Sequence, residues 1–174
     1  MAADSPSNPP EPELPGRGSR VCLEEITRDN LRAFLNLKVR SDQEGFVAPN
    51  AVSVAQAHFH PEAWFRGIVA DGTPVGFAML EDWTSMREAA HEAFRKEPYV
   101  GLWRFMVDAR YQAHGFGAEA LKLLIARART LLPDGVMLTS YVPGEGCPGP
   151  FYLRHGFVET GKLDGIERVL RLPL

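Results

Sequence analysis

The chain has 174 residues, a length that suits one domain, and 45% of them are hydrophobic, enough for a sizeable core. Its 19 basic and 22 acidic residues leave a net charge of −3, which argues against a nucleic-acid surface. Two cysteines, Cys22 and Cys147, make neither a disulfide framework nor a zinc spacing, and no segment approaches the ~18 unbroken apolar residues of a membrane span.

The first twenty residues, "MAADSPSNPPEPELPGRGSR", are rich in Pro, Ser and Gly and lack the apolar run of a signal peptide. They read as a disordered tail (1–20) ahead of a single domain (21–174), and the protein is expected to be cytoplasmic. "VCLEEI" reads as a strand. "TRDNLRAFLNLKVR" reads as a helix with Leu31, Phe34 and Leu35 near one face and Thr27 as N-cap. Gly45 and Pro49 make "SDQEGFVAPN" a loop. Ser53 with Gln56 forms a capping box for a helix over "SVAQAHF". Two apolar runs joined at Asp71-Gly72 predict a hairpin. A second capping box, Ser85 with Glu88, predicts a short helix in "SMREAAHEAFRK".

A strand follows over Tyr99–Asp108, then the loop "YQAHGFG", then a helix from about Gly117 to Leu132 whose Leu121, Leu124, Ile125 and Ala128 form a buried stripe. "VMLTSY" is a strand, "VPGEGCPGP" a loop, and "FYLRH" a short helix ended by Gly156. "FVETGKL" and "RVLRLPL" pair as a closing hairpin through Asp164-Gly165.

The loop between strand and helix carries the chemistry. Glycines there let backbone N–H groups converge on an anion at a helix N-terminus, although glycines also merely turn a chain. A Walker A loop would need a lysine and a hydroxyl that are absent. Gly115, Gly117 and Ala120 match G-x-G-x-x-A, the dinucleotide fingerprint. Too few residues follow for the further βα units that fold needs, and no acidic residue ends "VMLTSY" to hold a ribose.

"YQAHGFGAEAL" resembles the [QR]-x-x-G-x-[GA] signature of the GNAT superfamily of acyltransferases, matched by Gln112, Gly115 and Gly117. "FYLRHGFVETG" resembles the closing segment of that family, and the resemblance extends over roughly Val21 to Leu174. "QEGFVAPNAVSVAQA" and "WRFMVDARYQ" are similar to its spermine/spermidine-type, or diamine, N-acetyltransferase branch. The resemblance implies an α+β fold, a twisted mixed sheet flanked by helices, in which two parallel strands, Trp103–Asp108 and Val136–Tyr141, splay apart to admit acetyl-coenzyme A. Met106 and Val107 would face the pantetheine or acetyl carbonyl. Gln112, Ala113, His114, Gly115, Phe116, Gly117 and Ala118 would wrap the pyrophosphate. Tyr152 stands where the family commonly places a general acid.

Acetyl transfer to an amine needs a neutral nitrogen, a polarised thioester carbonyl and a proton for the leaving thiolate. Glu81 and Asp82, at the end of a central strand, are the candidate bases. Glu44, in the loop that would cover the acceptor, is a candidate substrate contact. Glu24, Glu25 and Glu167 rank behind them. No metal is expected: His58 and His60 have no third ligand at a sensible spacing. Two departures stand out. Glu145 occupies the position where many relatives carry an Asn that bonds the pantetheine arm, and the stretch around 84–98 is longer than the usual connection.

The expected partners are therefore a small-molecule amine, in particular a polyamine, and acetyl-coenzyme A, with no nucleic acid, no membrane, and a homodimer left open. The competing readings are a non-catalytic module that senses acyl-coenzyme A or binds a partner, and an acetyltransferase for an antibiotic or a protein N-terminus.

Overall fold

The computed structural model describes residues 14–84 and 97–174. The helix expected in "SMREAAHEAFRK" (85–96) and residues 1–13 of the N-terminal tail lie outside the described residues.

Alternating and continuous apolar runs produce a seven-stranded mixed sheet among the described residues: β1 (Val21–Glu24), β2 (Ala63–Ala70), β3 (Thr73–Asp82), β4 (Tyr99–Val107), β5 (Val136–Tyr141), β6 (Val158–Asp164) and β7 (Glu167–Pro173). Their spatial order is β1-β2-β3-β4-β5-β7-β6, antiparallel throughout except for β4 beside β5. Four α-helices among the described residues flank it: α1 (Leu31–Leu35), α2 (Asn50–Ala57), α3 (Phe116–Leu131) and α4 (Gly149–Arg154). The fold is thus the mixed α+β sheet expected from the sequence.

Successive side chains of a strand point to opposite faces, and β3 serves two cores that way. Ala78 and Leu80 join Leu121, Leu124 and Ala128 of α3 on one face. Phe77 and Met79 join Phe34 and Leu37 on the other. Phe34 is fully buried over Gly67, where a Cβ would lie 2.1 Å from its ring. Burying such a side chain contributes about 1.5–3 kcal/mol, and any larger residue at position 67 would displace it. The hairpin turn falls at Asp71-Gly72, both at positive φ (45° and 79°), as a two-residue loop between twisted strands requires.

Three local expectations need correction. The first helix is only Leu31–Leu35, because the chain beyond it is claimed elsewhere: Lys38 N–H donates to the Asp108 carboxylate at 2.9 Å, and Ala109 N–H donates to the Lys38 carbonyl at 2.8 Å. Asn30, not Thr27, occupies its N-cap. Ser53 and Gln56 form no capping box, since α2 already begins at Asn50. Ser53 donates back to the Pro49 carbonyl, and Gln56 accepts from Arg104 at 3.1 Å. The closing hairpin is present, with Gly165 and Ile166 between its strands.

Candidate active site

Strands β4 and β5 are paired only at Tyr99, Val100 and Gly101, opposite Val136, Met137 and Leu138. Beyond that they part. β5 stays paired to β7 as far as Tyr141, and β4 stays paired to β3 as far as Val107. One backbone edge of β4 therefore faces a notch instead of a neighbouring strand.

Two features of the sequence hold the notch open. The ladder to β3 passes from Arg104 to Leu102, so Trp103 is an extra residue, and such a bulge bends and twists its strand. Helix α4 fills the divergence. Its Gly149 sits against Tyr141, where a Cβ would fall 2.5 Å from the ring, and Phe151 stacks on Phe105 with centroids 5.9 Å apart. Thr139 spans the start of the split, donating to the Leu102 carbonyl at 3.1 Å.

Two cavities open on the notch. The smaller, of about 410 Å³, is lined by Met106, Val107, Gln112, Ala113, Gly115, Gly117 and Ala118. The larger, of about 640 Å³, is lined by Glu44, Glu81, Arg104, Tyr152, Asp164 and Glu167 among others. Phe46, Val47, Phe105 and Pro148 wall both, so the two meet at the split.

The smaller cavity ends at the first turn of α3, a 16-residue helix with no side-chain cap at its N-terminus. Gly115 adopts φ 91° there, and Ala113 is one of two non-glycine residues at positive φ among the described residues, at 64°. The first backbone N–H groups of a helix have no partner within it, and an N-terminus without a side-chain cap favours an anion. A Cβ at Gly117 would approach Val107 and Phe151 at 3.6 Å, so a larger side chain would fill the cavity. The residues present therefore fit a long ligand with an anionic group at the α3 end. His114 and Phe116 do not line the cavity: the His114 ring bonds the Gln112 carbonyl at 2.8 Å and stacks on buried Phe116. Glu145, where the family often has Asn, is exposed and lines neither cavity.

In the larger cavity Tyr152 is buried, and that burial pushes its phenol up to about 12, a hydrogen bond with Thr139 acting in the opposite direction. Glu81 stands at the end of β3 opposite Gly101, where a Cβ would lie 2.7 Å from its carboxylate, and it accepts from the Trp83 indole at 3.2 Å. Burial is the largest cause raising its carboxyl above the usual range, followed among the raising effects by the nearby Glu62 charge. Asp82 does not reach the cavity. Its carboxylate is held by the backbone and hydroxyl of Thr84. Glu44 is exposed at the rim.

Sequence reasoning missed Thr139, Arg104, Asp164 and the dual role of Phe151. The guanidinium of Arg104 bonds the Trp103 carbonyl and Gln56, and desolvation lowers its pKa. Phe151, besides packing on Phe105, lines the smaller cavity. Glu167, ranked in the sequence behind the other carboxylates, does line the larger cavity. The missed residues are brought in by tertiary packing. Among the described residues no group of His, Cys, Asp and Glu could hold a metal, and no helix is long and apolar enough to cross a membrane.

Splayed parallel strands, a helix with no side-chain cap and a buried tyrosine are the arrangement that the resemblance to acyltransferases implied. The Acetyltransferase (GNAT) family matches residues 23–157, and the chain belongs to that family. It is an acetyl-coenzyme A-dependent N-acetyltransferase. Among its relatives is the spermine/spermidine N(1)-acetyltransferase of Bacillus subtilis (strain 168), 30% identical over 147 residues that cover 83% of this chain and 91% of the relative. The PaiA N-acetyltransferase of Thermoplasma acidophilum, solved in complex with coenzyme A, shares the fold at a TM-score of 0.60 and 14% identity, over 89% of this chain and 99% of its own. A GNAT acetyltransferase from Elizabethkingia anophelis, solved with acetyl-CoA bound, does so at 0.56 and 15%, over 88% and 98%.

Proposed function

We propose that the enzyme acetylates a small, cationic primary amine, a polyamine being the first class to test, by direct transfer in a ternary complex in the cytoplasm. The observation that carries this reading is the pair of cavities meeting at the β4–β5 split. One is walled by apolar side chains and by the glycines at the start of α3; the other is edged by the carboxylates of Glu44, Glu81, Asp164 and Glu167, against Arg104. Such a carboxylate-rich pocket concentrates cations. The polyamine acetyltransferase relative supports the same choice.

In this reading the backbone of Ala113, Gly115, Gly117 and Ala118 seats the pyrophosphate of acetyl-coenzyme A, and the open edge of β4 at Met106 and Val107 meets the pantetheine arm. Backbone N–H groups of that edge polarise the acetyl carbonyl. Glu81, raised by burial, takes the proton that frees the amine's lone pair. Tyr152, protonated throughout the neutral range, gives its proton to the departing sulfur.

A panel of amines matched in length and differing in charge, assayed for coenzyme A release, tests this. Turnover should favour di- and polyamines over neutral and acidic acceptors. Preference for a neutral amine or a peptide N-terminus would contradict it.

A further inference from the structure

We infer that Arg40, which lines neither cavity, is a positioning residue that ties the acceptor-side wall to the coenzyme loop through the side chain of Gln112. The inference rests on the assignment of the two cavities above. Sequence reasoning gave Gln112 to the coenzyme, yet its amide is committed elsewhere. Its Oε1 accepts from Arg40 Nη1 at 3.0 Å, and its Nε2 donates to Gln43 Oε1 at 2.7 Å and to the Val107 carbonyl at 3.0 Å. Two of these contacts reach the 40–43 segment and the third holds the end of β4.

The segment so gripped continues directly into the wall. After Arg40 comes one 3-10 turn, Ser41–Gln43, and then Glu44, Phe46 and Val47, which line the larger cavity. Phe46 and Val47 line the smaller one too. The far side of this strap touches the loop before α4: a Cβ on Gly144 would sit 3.6 Å from the Phe46 ring, and one on Gly146 would sit 3.5 Å from the Asp42 carboxylate. Residues 40–47 thus arch over the split, anchored to the coenzyme loop at one end through Arg40 and Gln112.

Loading the coenzyme loop should therefore order the acceptor wall, and this linkage runs both ways. Its strength is that of a few partly exposed hydrogen bonds. Cutting the Arg40 bond should cost about threefold to tenfold in acceptor affinity.

The test uses hydrogen exchange and kinetics on the full-length protein. Coenzyme A should slow exchange in the wild type both at 112–118 and across 40–49. Arg40→Leu should keep the first protection, and coenzyme A affinity within about threefold, while losing the second. Its KM for spermidine at saturating acetyl-coenzyme A should rise with kcat little changed. Arg40→Lys, which keeps a donor, should restore most of the loss. Adding Gln112→Leu to Arg40→Leu should cost no more than Gln112→Leu alone, because both cut one linkage.

Unchanged protection across 40–49 in Arg40→Leu overturns the inference. So does a wild type in which coenzyme A protects only 112–118, or an Arg40→Leu variant that loses coenzyme affinity as much as acceptor affinity. If the wild type acetylates no amine, the proposed function fails, yet the exchange comparison still decides the linkage.

Discussion

The two cavities share a wall of Phe46, Val47, Phe105 and Pro148, yet they are made differently. The smaller takes its strand edge and helix start from one stretch of chain, Met106 to Ala118, and that stretch offers backbone groups and glycines. The larger draws its charged groups from the strap after α1, the end of β3, the bulged middle of β4 and the β6–β7 turn. The contrast teaches that a site for an invariant ligand can be written as a short sequence pattern. A site for a variable acceptor is assembled from positions far apart, each free to change alone.

The sharpest way to break that contrast is at the junction. Tyr152→Phe keeps the ring that packs beside Phe151 and Phe157 and removes only the hydroxyl. A general acid contributes about 10²- to 10⁴-fold, so kcat should fall by that factor while coenzyme A affinity, measured by calorimetry, stays nearly intact. Turnover within about threefold of wild type would make Tyr152 a packing residue.

Gly117→Val sharpens the coenzyme half. Its methyls would enter the space between Val107 and Phe151. Overfilling of this kind costs about 1–3 kcal/mol, so coenzyme A should bind roughly tenfold to a hundredfold more weakly in a variant with wild-type circular dichroism. Unchanged affinity would move the coenzyme elsewhere.

Amide substitutions probe the acceptor half. Glu44→Gln and Glu167→Gln should each raise KM for a polyamine by less than about tenfold, since partly exposed charges are screened. Glu81→Gln should also lower kcat and remove the acid limb of the rate profile. Because burial raises the Glu81 carboxyl, its base form is lost as pH falls through a value above the ordinary ~4.3. A wild-type limb at or below the ordinary value would exclude Glu81 as the base.

The smallest effect concerns stability. Burial alone would raise Asp108, but bonds from Arg110 and the Lys38 N–H outweigh it and hold the carboxyl below its usual range. Its folded value is therefore below its unfolded one. Its contribution is fully present above the unfolded value, about 3.9, and fades as pH falls through the lower native one. Asp108→Asn should flatten the acid side of the urea midpoint against pH, and an unchanged slope would refute the assignment.

What was legible follows the same division. The hairpin at Asp71-Gly72, the α3 stripe and the loop at Gly115 and Gly117 were readable because turn dipeptides, helical periodicity and glycine placement are local. The shortness of α1 was not, because Lys38 is held by Asp108, 70 positions away in the chain. Asp82 looked as good a base as Glu81, since both end β3. Alternation sends adjacent side chains to opposite faces, and only Glu81 reaches the cavity. Arg104 was invisible as a cavity residue because the bulge at Trp103 changes the face of every residue after it.

The central claim is that the two cavities are halves of one reaction centre joined at the split. A crystal structure of the protein with coenzyme A tests it most directly. The pyrophosphate should lie on the N–H groups of Gly115 to Ala118, the pantetheine along β4 at Met106 and Val107, and the sulfur within hydrogen-bond reach of the Tyr152 hydroxyl. A sulfur that ends away from Tyr152, or a pantetheine arm that does not enter the gap between β4 and β5, would contradict it.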